Sequence, residues 1–298
     1  MHRRFARALG AAIFAVMGLN PIAAQDAPQG FLTQFEWPSD DPLHGGLSGI
    51  EVSGDGQSVV LLSDQGAIAT GQISRDTAGL ITNITLSPFQ LLKALGDAPL
   101  SDSRNDSEGL ALDGQGRAYI SFEGVARVLR YDDLAGSAQN MPDHPDFAGL
   151  QTNSALEALA VDADGTLYTL PERSGAEARP FPIYRLRAGV WDNKLSLPRE
   201  AGFMPVGADF GPDGRLYILL RQFHGISGFS SKLIRMTVGE DALGPAEVVM
   251  QSRAGFHDNL EGVAIWQGAA GDLRATMVAD DNFLPFLSTG LVEYRLPD

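Results

Sequence analysis

The sequence of 298 residues contains no cysteine. This excludes disulfide bonds, thiolate metal sites and catalysis by a cysteine nucleophile. Basic residues are also scarce, because 22 Lys and Arg stand against 37 Asp and Glu, which gives a formal net charge of -15. A chain this acidic repels nucleic acids and anionic membrane surfaces and attracts cations. We therefore expect no nucleic-acid partner and a small molecule or a cation as ligand.

The sequence also lacks an apolar run long enough for a comfortable membrane span. The run ALGAAIFAVMGL follows three arginines near the N-terminus and precedes the small residues of PIAAQ. This arrangement is typical of a cleaved export signal. We therefore predict a signal peptide over residues 1–24 with cleavage near Ala24, no membrane span, and a periplasmic or secreted mature chain of residues 25–298.

The sequence also shows no helical periodicity. Turn signals built from Gly, Asp and Asn recur densely instead and favour β structure. Five segments share one pattern, in which a short strand, a turn with Asp or Gly and a second strand follow one another. They cover residues 47–66, 107–124, 156–173, 205–222 and 260–281. Periods of this length built from hairpins indicate a β-propeller with four strands in each blade. We predict an all-β fold, a single propeller domain over residues 25–298 with five blades; six blades, one of them degenerate, is the alternative.

Segments with alternating apolar residues follow the hairpins and supply the outer strands. Third strands are predicted at residues 127–132, 182–187, 232–237 and 291–296, and fourth strands at 81–88, 194–198 and 246–252. The segment FLTQFEW, residues 31–37, precedes the first repeat. We expect it to complete the last blade, because closing the ring removes the exposed sheet edges.

The first strand of each propeller blade lines the central channel, and the second strand runs antiparallel to it. The start of the first strand and the end of the second therefore lie at the same channel mouth. The strand-start position is held by Ser48, Glu108, Glu157, Val206 and Glu261. The strand-end position is held by Asp64, Glu123, Glu172, Arg221 and Asp280. The repeats thus predict that distant acids gather at one mouth.

Like charges at such close range raise one another's pKa values unless a cation compensates them. Carboxylate oxygens in this number suit Ca²⁺, which takes 6–8 oxygen ligands. We therefore predict a Ca²⁺ site at this mouth, either structural or catalytic, with Asp281 and Asn282 as further candidate ligands. Arg221 is expected either to compensate part of the negative charge or to contact an anion. The alternative for any single acid is an ordinary solvated position on the rim.

Histidines supply candidate acid–base groups. His44 and His257 each lie in a Gly-containing loop shortly before a channel strand, and either is a candidate general acid or base. The sequence has no Gly-x-Ser-x-Gly elbow, P-loop, His-Glu-x-x-His or dinucleotide fingerprint. Any chemistry is therefore expected to use metal-activated water.

The segment HDNLEGVAIW, followed by MVADDNFLPFLSTGLVEYRL, resembles the C-terminal signature of the phytase-like esterase family, a group of exported bacterial β-propeller proteins. LSGIEV...LLSDQG and DSEGLAL...YISFEG...VLRYD match earlier segments of that family, so the resemblance covers most of residues 43–297. It implies esterase or phosphoesterase activity and, as in the related propeller phytases, Ca²⁺ at the acidic mouth. The positions that match are Asp64, Glu108, Glu123, Glu157, Glu261, Asp280, Asp281 and Asn282.

Three functions stay open. The first is a Ca²⁺-dependent hydrolase of a phosphate ester or a carboxylic ester, with the acids as ligands, Asp280 as ligand or base, Arg221 as anion clamp and His257 or His44 as acid–base group. The second is a non-catalytic envelope propeller that binds a ligand or a protein and uses Ca²⁺ structurally. The third is a sugar-lactone hydrolase. Propeller phytases hold their highly charged substrate with several Lys and Arg residues, whereas this mouth offers Arg221, with Arg104 and Arg173 as further candidates.

Overall fold

A computed structural model describes residues 27–101, 104–281 and 287–298 of the chain. The predicted signal peptide, its cleavage site and the candidate ligand Asn282 lie outside these residues. Within the described ranges, no helix has both the length and the apolar character needed to cross a membrane. Short 3₁₀ turns at Leu95–Asp97, Pro145–Gly149 and Gly225–Ser227 interrupt a structure that consists otherwise of strands and loops.

The strands form five sheets in the described residues, and each sheet is one blade. Blade 1 contains β2 (Leu47–Val52), β3 (Ser58–Ser63), β4 (Ala67–Arg75) and β5 (Ile81–Leu86), with the short β6 (Gln90–Leu91) also paired to β4. Blade 2 contains β7 (Ser107–Leu112), β8 (Ala118–Phe122), β9 (Arg127–Tyr131) and β10 (Gln139–Asn140). Blade 3 contains β11 (Leu156–Val161), β12 (Leu167–Pro171), β13 (Phe181–Arg187) and β14 (Val190–Leu197).

The last two blades complete the ring. Blade 4 contains β15 (Met204–Phe210), β16 (Leu216–Phe223), β17 (Phe229–Met236) and β18 (Glu247–Gln251). Blade 5 contains β19 (Asn259–Gln267), β20 (Leu273–Asp280), β21 (Gly290–Arg295) and the N-terminal β1 (Phe31–Glu36). The prediction of an all-β propeller with five blades is confirmed, and the outer strand of the last blade comes from the start of the chain as the sequence indicates.

Ring closure has two visible supports. Strand β1 pairs antiparallel with β21, so the two ends of the propeller share one sheet. Across the neighbouring interface, Arg75 in blade 1 binds the buried carboxylate of Glu293 in blade 5 through two hydrogen bonds of 2.7 and 2.8 Å. Thr276 donates a further hydrogen bond of 2.7 Å to Glu293. The charge of Glu293 is therefore fully partnered at the seam of the ring.

The apolar core lies between the blades. Five clusters of buried side chains occur in the described residues, and each joins two neighbouring sheets. Leu62 of blade 1 and Ile120 of blade 2 share one such cluster, and Leu47 of blade 1 shares another with Val278 of blade 5. The inner strands β2, β7, β11, β15 and β19 contact one another in a closed circle. This packing fixes the distance at which side chains from different blades meet around the channel.

Candidate metal centre

A register slip occurs at the same place in all five blades. The pairing between the first and second strands is interrupted between Leu47 and Gly49, Ser107 and Leu110, Leu156 and Ala158, Pro205 and Gly207, and Leu260 and Val263. The residues inside these slips include the predicted strand-start positions Ser48, Glu108, Glu157, Val206 and Glu261. A β-bulge leaves its extra residue out of the ladder and re-aims its side chain. The repeated bulge therefore explains why carboxylate side chains point out of the strand ladder at equivalent places in different blades.

A small residue follows the bulged position in every blade, and its size lets the inner strands approach closely. A Cβ atom on Gly109 would lie 2.6 Å from Cβ of Leu159 and 2.7 Å from the backbone oxygen of Glu157. A Cβ atom on Gly207 would lie 2.6 Å from the backbone oxygen of Glu261. Real Cβ atoms do not occupy such positions without a shift of the backbone. The glycines thus set the narrow spacing that crowds the acids.

The second strands bring their end residues to the same mouth. Asp64, Glu123 and Glu172 directly follow β3, β8 and β12, Asp280 ends β20, and Arg221 lies near the end of β16. Ladder pairs tie two of them to the starts of inner strands, because Asn259 pairs with Asp280 and Met204 pairs with Arg221. The structure therefore brings together the acids of the two predicted positions.

The tightest group of acids is formed by Asp106, Glu108 and Glu123. One carboxylate oxygen from each lies within 4.8 Å of the others. Asp106 stands two residues before Glu108, so alternation along an extended chain places both on one side of the strand. Glu123 is held in place by a hydrogen bond of 2.9 Å from the backbone N–H of Ala155 in the next blade. Three oxygens at this spacing are a candidate set of ligands for a hard cation.

Sequence analysis did not select Asp106 as a ligand, although this residue lies in the oxygen-rich segment SDSRNDSEG of residues 101–109. The equivalent position of blade 5 carries Asn259, which also contacts site acids and which sequence analysis also missed. The signal was available, because both residues precede a predicted ring glutamate by two positions. Attention to the alternation of side chains just ahead of the strand would have found them.

Burial in the channel raises the pKa values of these carboxyl groups. For Asp64 burial is the main cause, the nearby Asp280 and Asp106 add to it, and the pKa reaches about 7. Burial also raises the pKa of Glu123 to about 7, against the opposing effect of its hydrogen bond with Glu157. Glu108 is affected more strongly, because burial and the charges of Glu123 and Asp106 raise its pKa well above the ordinary value.

Glu157 shows the same effect at the neighbouring blade. Burial is the largest cause, and the charges of Glu108 and Glu123 follow. Without a cation, acids packed this closely favour protonation, since ionising all of them would leave several negative charges in a channel with little water. A divalent cation would remove that cost.

Arg221 compensates the other side of the ring. Its Nη2 donates to Oε1 of Glu172 at 3.0 Å, and its Nη1 donates to Oδ1 of Asn259 at 2.6 Å and to the carboxylate of Glu261. Asn259 also donates to the carboxylates of Glu261, at 2.6 Å, and Asp280, at 3.2 Å. Burial nevertheless raises the pKa of Glu261 to about 7, although the charge of Arg221 opposes the rise.

The ring is therefore divided into a compensated and an uncompensated part. Arg221 forms ion pairs with Glu172 and Glu261. In the described ranges, by contrast, Asp64, Asp106, Glu108 and Glu123 have no Lys, Arg or His partner at ion-pair distance. We call these four residues the acid cluster. Within the described ranges, the negative charge of the acid cluster is therefore not neutralised by an ion pair.

A comparison with family models shows which family the chain belongs to. The model of the family described as "Phytase-like: Esterase-like activity of phytase" matches residues 42–283. The chain belongs to this phytase-like family. Membership supports a propeller with a hydrolase-like function and confirms the resemblance found in the sequence. A comparison with curated protein sequences gave no significant match.

Solved structures are similar to this member of the phytase-like family at low sequence identity. Regucalcin from Agrobacterium tumefaciens strain C58, described as a calcium-binding protein, has a TM-score of 0.51 and 10% identity, and the match covers 89% of this chain and 95% of that one. A gluconolactonase from Xanthomonas campestris has a TM-score of 0.42 and 10% identity, with 91% and 98% covered. Virginiamycin B lyase from Staphylococcus aureus has a TM-score of 0.41 and 15% identity, with 89% and 74% covered. The likeness to regucalcin supports the fold.

Asp281 lies near Asp64 of the acid cluster, and His44 lies near Asp281. Oδ1 of Asp281 accepts a hydrogen bond of 3.2 Å from the backbone N–H of Gly46, and its charge contributes to the raised pKa of Asp64. The imidazole of His44 packs against Trp37 and Phe89. Burial lowers the pKa of His44, while the charges of Asp281 and Asp41 oppose that change. The acid–base role of His44 stays a prediction.

His257 has a different environment from the one its sequence position suggests. Its Nε2 lies 2.6 Å from the hydroxyl of Tyr294, and its Nδ1 lies 3.2 Å from Oε1 of Gln34. The ring of Phe31 also packs against it, so the side chain is buried among the outer strands of blade 5. Burial lowers its pKa to about 4. Its described hydrogen bonds thus join it to structural groups, and its acid–base role is untested.

Two more channel carboxylates were missed by sequence analysis. Glu51 and Asp209 each follow a ring position by three residues, in blades 1 and 4. Oε1 of Glu51 accepts a hydrogen bond of 2.9 Å from the N–H of Leu112, and Oδ2 of Asp209 accepts one of 2.5 Å from the N–H of Ile265. Burial raises the pKa of Asp209 to about 7. Each acid therefore joins its inner strand to the inner strand of the next blade.

Proposed function

We propose that this protein is an exported Ca²⁺-dependent hydrolase that cleaves a small phosphate ester or carboxylic ester at the acidic mouth of the channel. The observation that carries the proposal is the convergence of carboxylate oxygens from Asp106, Glu108 and Glu123 within 4.8 Å. Membership of the phytase-like family supports the hydrolase-like part of the proposal. The N-terminal sequence, with its arginines and short apolar run, supports export.

The donor set fits Ca²⁺ better than a softer metal. Its members offer carboxylate oxygens, which hard cations prefer, and the chain has no cysteine to offer a thiolate. Asp106, Glu108 and Glu123 would hold the ion, and Asp64 and Glu157 stand close enough to interact electrostatically with them. Calcium bound there would supply positive charge and Lewis acidity for an ester and for water.

Arg221 would bind and orient the anionic part of the substrate. A guanidinium group has five N–H donors. In the described ranges the guanidinium of Arg221 donates three hydrogen bonds, to Asn259, Glu261 and Glu172. The Nε–H and one Nη2–H have no partner among the described residues. Because its carboxylate partners hold the side chain in place, these donors would need little reordering to bind a phosphate or carboxylate oxygen.

Turnover in the presence and absence of Ca²⁺ tests this proposal. The purified protein is first analysed for bound metal, then stripped with a chelator and assayed with p-nitrophenyl phosphate, p-nitrophenyl acetate and glucono-δ-lactone. We expect hydrolysis of at least one ester to require added Ca²⁺, and Glu108→Gln to reduce that rate by about tenfold or more. Glu240→Gln, in an exposed ion pair with Arg187, is the matched control and should leave the rate unchanged.

A non-catalytic propeller with structural Ca²⁺ is the second candidate. One observation favours it, because the acid cluster joins Asp64 of blade 1 to residues of blade 2, and Glu123 lies beside Glu157 of blade 3. An ion in this position would tie three blades together. Calcium-dependent stability without hydrolysis of any of the three substrates would decide for this function, whereas hydrolysis of the lactone alone would identify a lactonase.

A further inference from the structure

Blade 4 carries a hairpin that reaches beyond the mouth of the channel. In blades 1 and 2 the pairing between the second and third strands stops at Ser63 and Phe122, just before the ring residues Asp64 and Glu123. In blade 4 it continues past Arg221 through Gln222 to Phe223, which pairs with Phe229. The β16–β17 hairpin therefore extends over the rim at the point where the ring carries its arginine.

The end of this hairpin is apolar and exposed. Phe223 is 61% exposed and Ile226 is fully exposed, whereas Phe229 is partly buried. The rings of Phe223 and Phe229 lie 5.0 Å apart between centroids. We call Phe223, Ile226 and Phe229 the apolar tip. Large apolar side chains grouped on a surface are a sign of a binding site, since water penalises their exposure.

The tip is held in a defined shape. The N–H of His224 donates to the backbone oxygen of Gly228 at 2.8 Å, and the imidazole Nε2 lies 2.8 Å from Oγ of Ser230. The N–H of Gly255 donates to the backbone oxygen of Phe229 at 2.9 Å, which braces the hairpin against the segment before β19. A prepared apolar surface binds a ligand with a smaller entropic cost than a loose one.

The apolar tip is continuous with the candidate site. The guanidinium carbon of Arg221 lies 5.7 Å from the ring centroid of Phe229, in a cation–π arrangement. Arg221 and Phe223 are two residues apart on β16, so they lie on the same side of that strand and about 7 Å apart along it. A molecule whose anionic group meets Arg221 would therefore extend its remaining part over the tip.

We propose that the apolar tip binds the alcohol part of the substrate, which makes the substrate a phosphate ester of an aryl or alkyl alcohol. This inference rests on the hydrolase function proposed above. A polyphosphorylated substrate fits poorly, because the chain carries a net charge of -15 and Arg221 is already paired with Glu172 and Glu261. A substrate with one phosphate and one apolar group would match Arg221 at the mouth and the apolar tip of the hairpin.

Binding of two phosphonates measures the preference without requiring hydrolysis. Ethylphosphonate and hexylphosphonate carry the same anionic head and differ by four methylenes. In calorimetry with Ca²⁺ present, we expect hexylphosphonate to bind about tenfold more tightly, because a fully buried methylene changes affinity by about fourfold and this surface buries them in part. Phe223→Ala and Ile226→Ser should abolish the difference. Val248→Ala, at an exposed apolar residue of the outer strand β18, should retain it.

Hydrolysis of ethyl phosphate and hexyl phosphate is measured alongside, because the two leaving groups are equally reactive. Equal affinities for the two phosphonates would overturn the inference even if both phosphates are hydrolysed, in which case the proposed function stands. A preference that persists in Phe223→Ala and Ile226→Ser would also overturn it. If hexylphosphonate binds selectively and neither phosphate is hydrolysed, the tip is a ligand surface and the hydrolase function fails.

A further experiment tests whether the apolar tip binds a lipid surface instead of a substrate. The protein and its Ile226→Ser variant are sedimented with phosphatidylcholine vesicles. We expect neither to sediment. Sedimentation of the parent protein that the substitution removes would assign the tip to a bilayer and overturn the substrate inference.

Discussion

Nη2 of Arg221 in blade 4 donates a hydrogen bond of 3.0 Å to Oε1 of Glu172 in blade 3. The same guanidinium reaches Glu261 in blade 5, so one cation joins three consecutive blades at the channel mouth. This contact compensates one side of the acidic ring. The opposite side, with Glu108 and Glu123, has no such partner within the described part of the chain. The two sides should therefore respond differently, one to replacement of Arg221 and the other to added Ca²⁺.

Replacement of Arg221 by methionine should destabilise the fold. The change keeps a similar apolar stem but leaves the carboxylates of Glu172 and Glu261 buried without their cation. Breaking a buried pair in this way costs about 3–5 kcal/mol. Urea unfolding measures the loss, and Arg187→Met, in an exposed pair with Glu240, is the matched control with no measurable change expected. A loss for Arg221→Met as small as that for Arg187→Met would contradict the role of Arg221 in the ring.

Calcium should stabilise the protein after chelator treatment. An ion that binds only the folded state at 100 times its Kd adds about 2.7 kcal/mol to the free energy of unfolding. For a chain of this size the corresponding rise in Tm is about 4–5 °C. Differential scanning calorimetry with and without Ca²⁺ measures it, and Glu123→Gln should reduce the response because it removes one of the clustered carboxylates. An equal response in the variant would show that the ion binds elsewhere.

Gly109→Ala should disrupt the approach of blades 2 and 3. The added methyl group would lie 2.6 Å from Cβ of Leu159 and 2.7 Å from the backbone oxygen of Glu157, so the inner strands must separate. Forcing extra volume into such a contact costs about 1–3 kcal/mol. Gly114→Ala is the control, since a Cβ atom there meets no atom within 4 Å. Thermal unfolding of the two variants compares the costs, and similar stabilities would refute the packing role of Gly109.

The buried imidazole of His257 should make stability depend on pH. Its folded pKa is about 4, below the ordinary value of 6.5, so the unfolded chain takes up the proton first as the pH falls. Above pH 6.5, where His257 is neutral in both states, its contribution to the free energy of unfolding is complete. This free energy falls by about 3 kcal/mol as the pH drops towards 4. Unfolding free energies of the parent protein and His257→Gln, measured from pH 7.5 to 4.5, isolate this effect from the carboxylates. Parallel curves for the two proteins would exclude it.

Much of the fold could be predicted because the chain repeats one pattern. Alternation of apolar residues marked the third strands β9, β13, β17 and β21, and the segment before the first repeat marked β1. The outer strand of blade 2 escaped prediction. Strand β10 contains only Gln139 and Asn140, both exposed, so it has no apolar alternation to reveal it. Backbone pairing with Leu129 and Arg130 defines this strand.

The candidate site was predictable to a similar degree. Equivalent positions in the repeats identified Glu108, Glu123 and Glu157 as neighbours, although they come from different hairpins. The contribution of Asp106 depended on the local direction of its side chain, and the surroundings of His257 depended on contacts with Tyr294 and Gln34 from distant parts of the chain. Contacts of this kind cannot be inferred from the spacing of residues along the sequence.

The amino-acid sequence alone determined that five similar hairpins follow one another and that each brings its acids to the same end, because strand periodicity and turn residues act over a few neighbouring positions. The tertiary structure decided which acids are compensated. Only the closed ring places Arg221 between Glu172 and Glu261 and leaves Asp106, Glu108 and Glu123 without a protein cation in the described residues. The reason is physical: electrostatic energy depends on distances across the channel, and the packing of whole blades sets those distances.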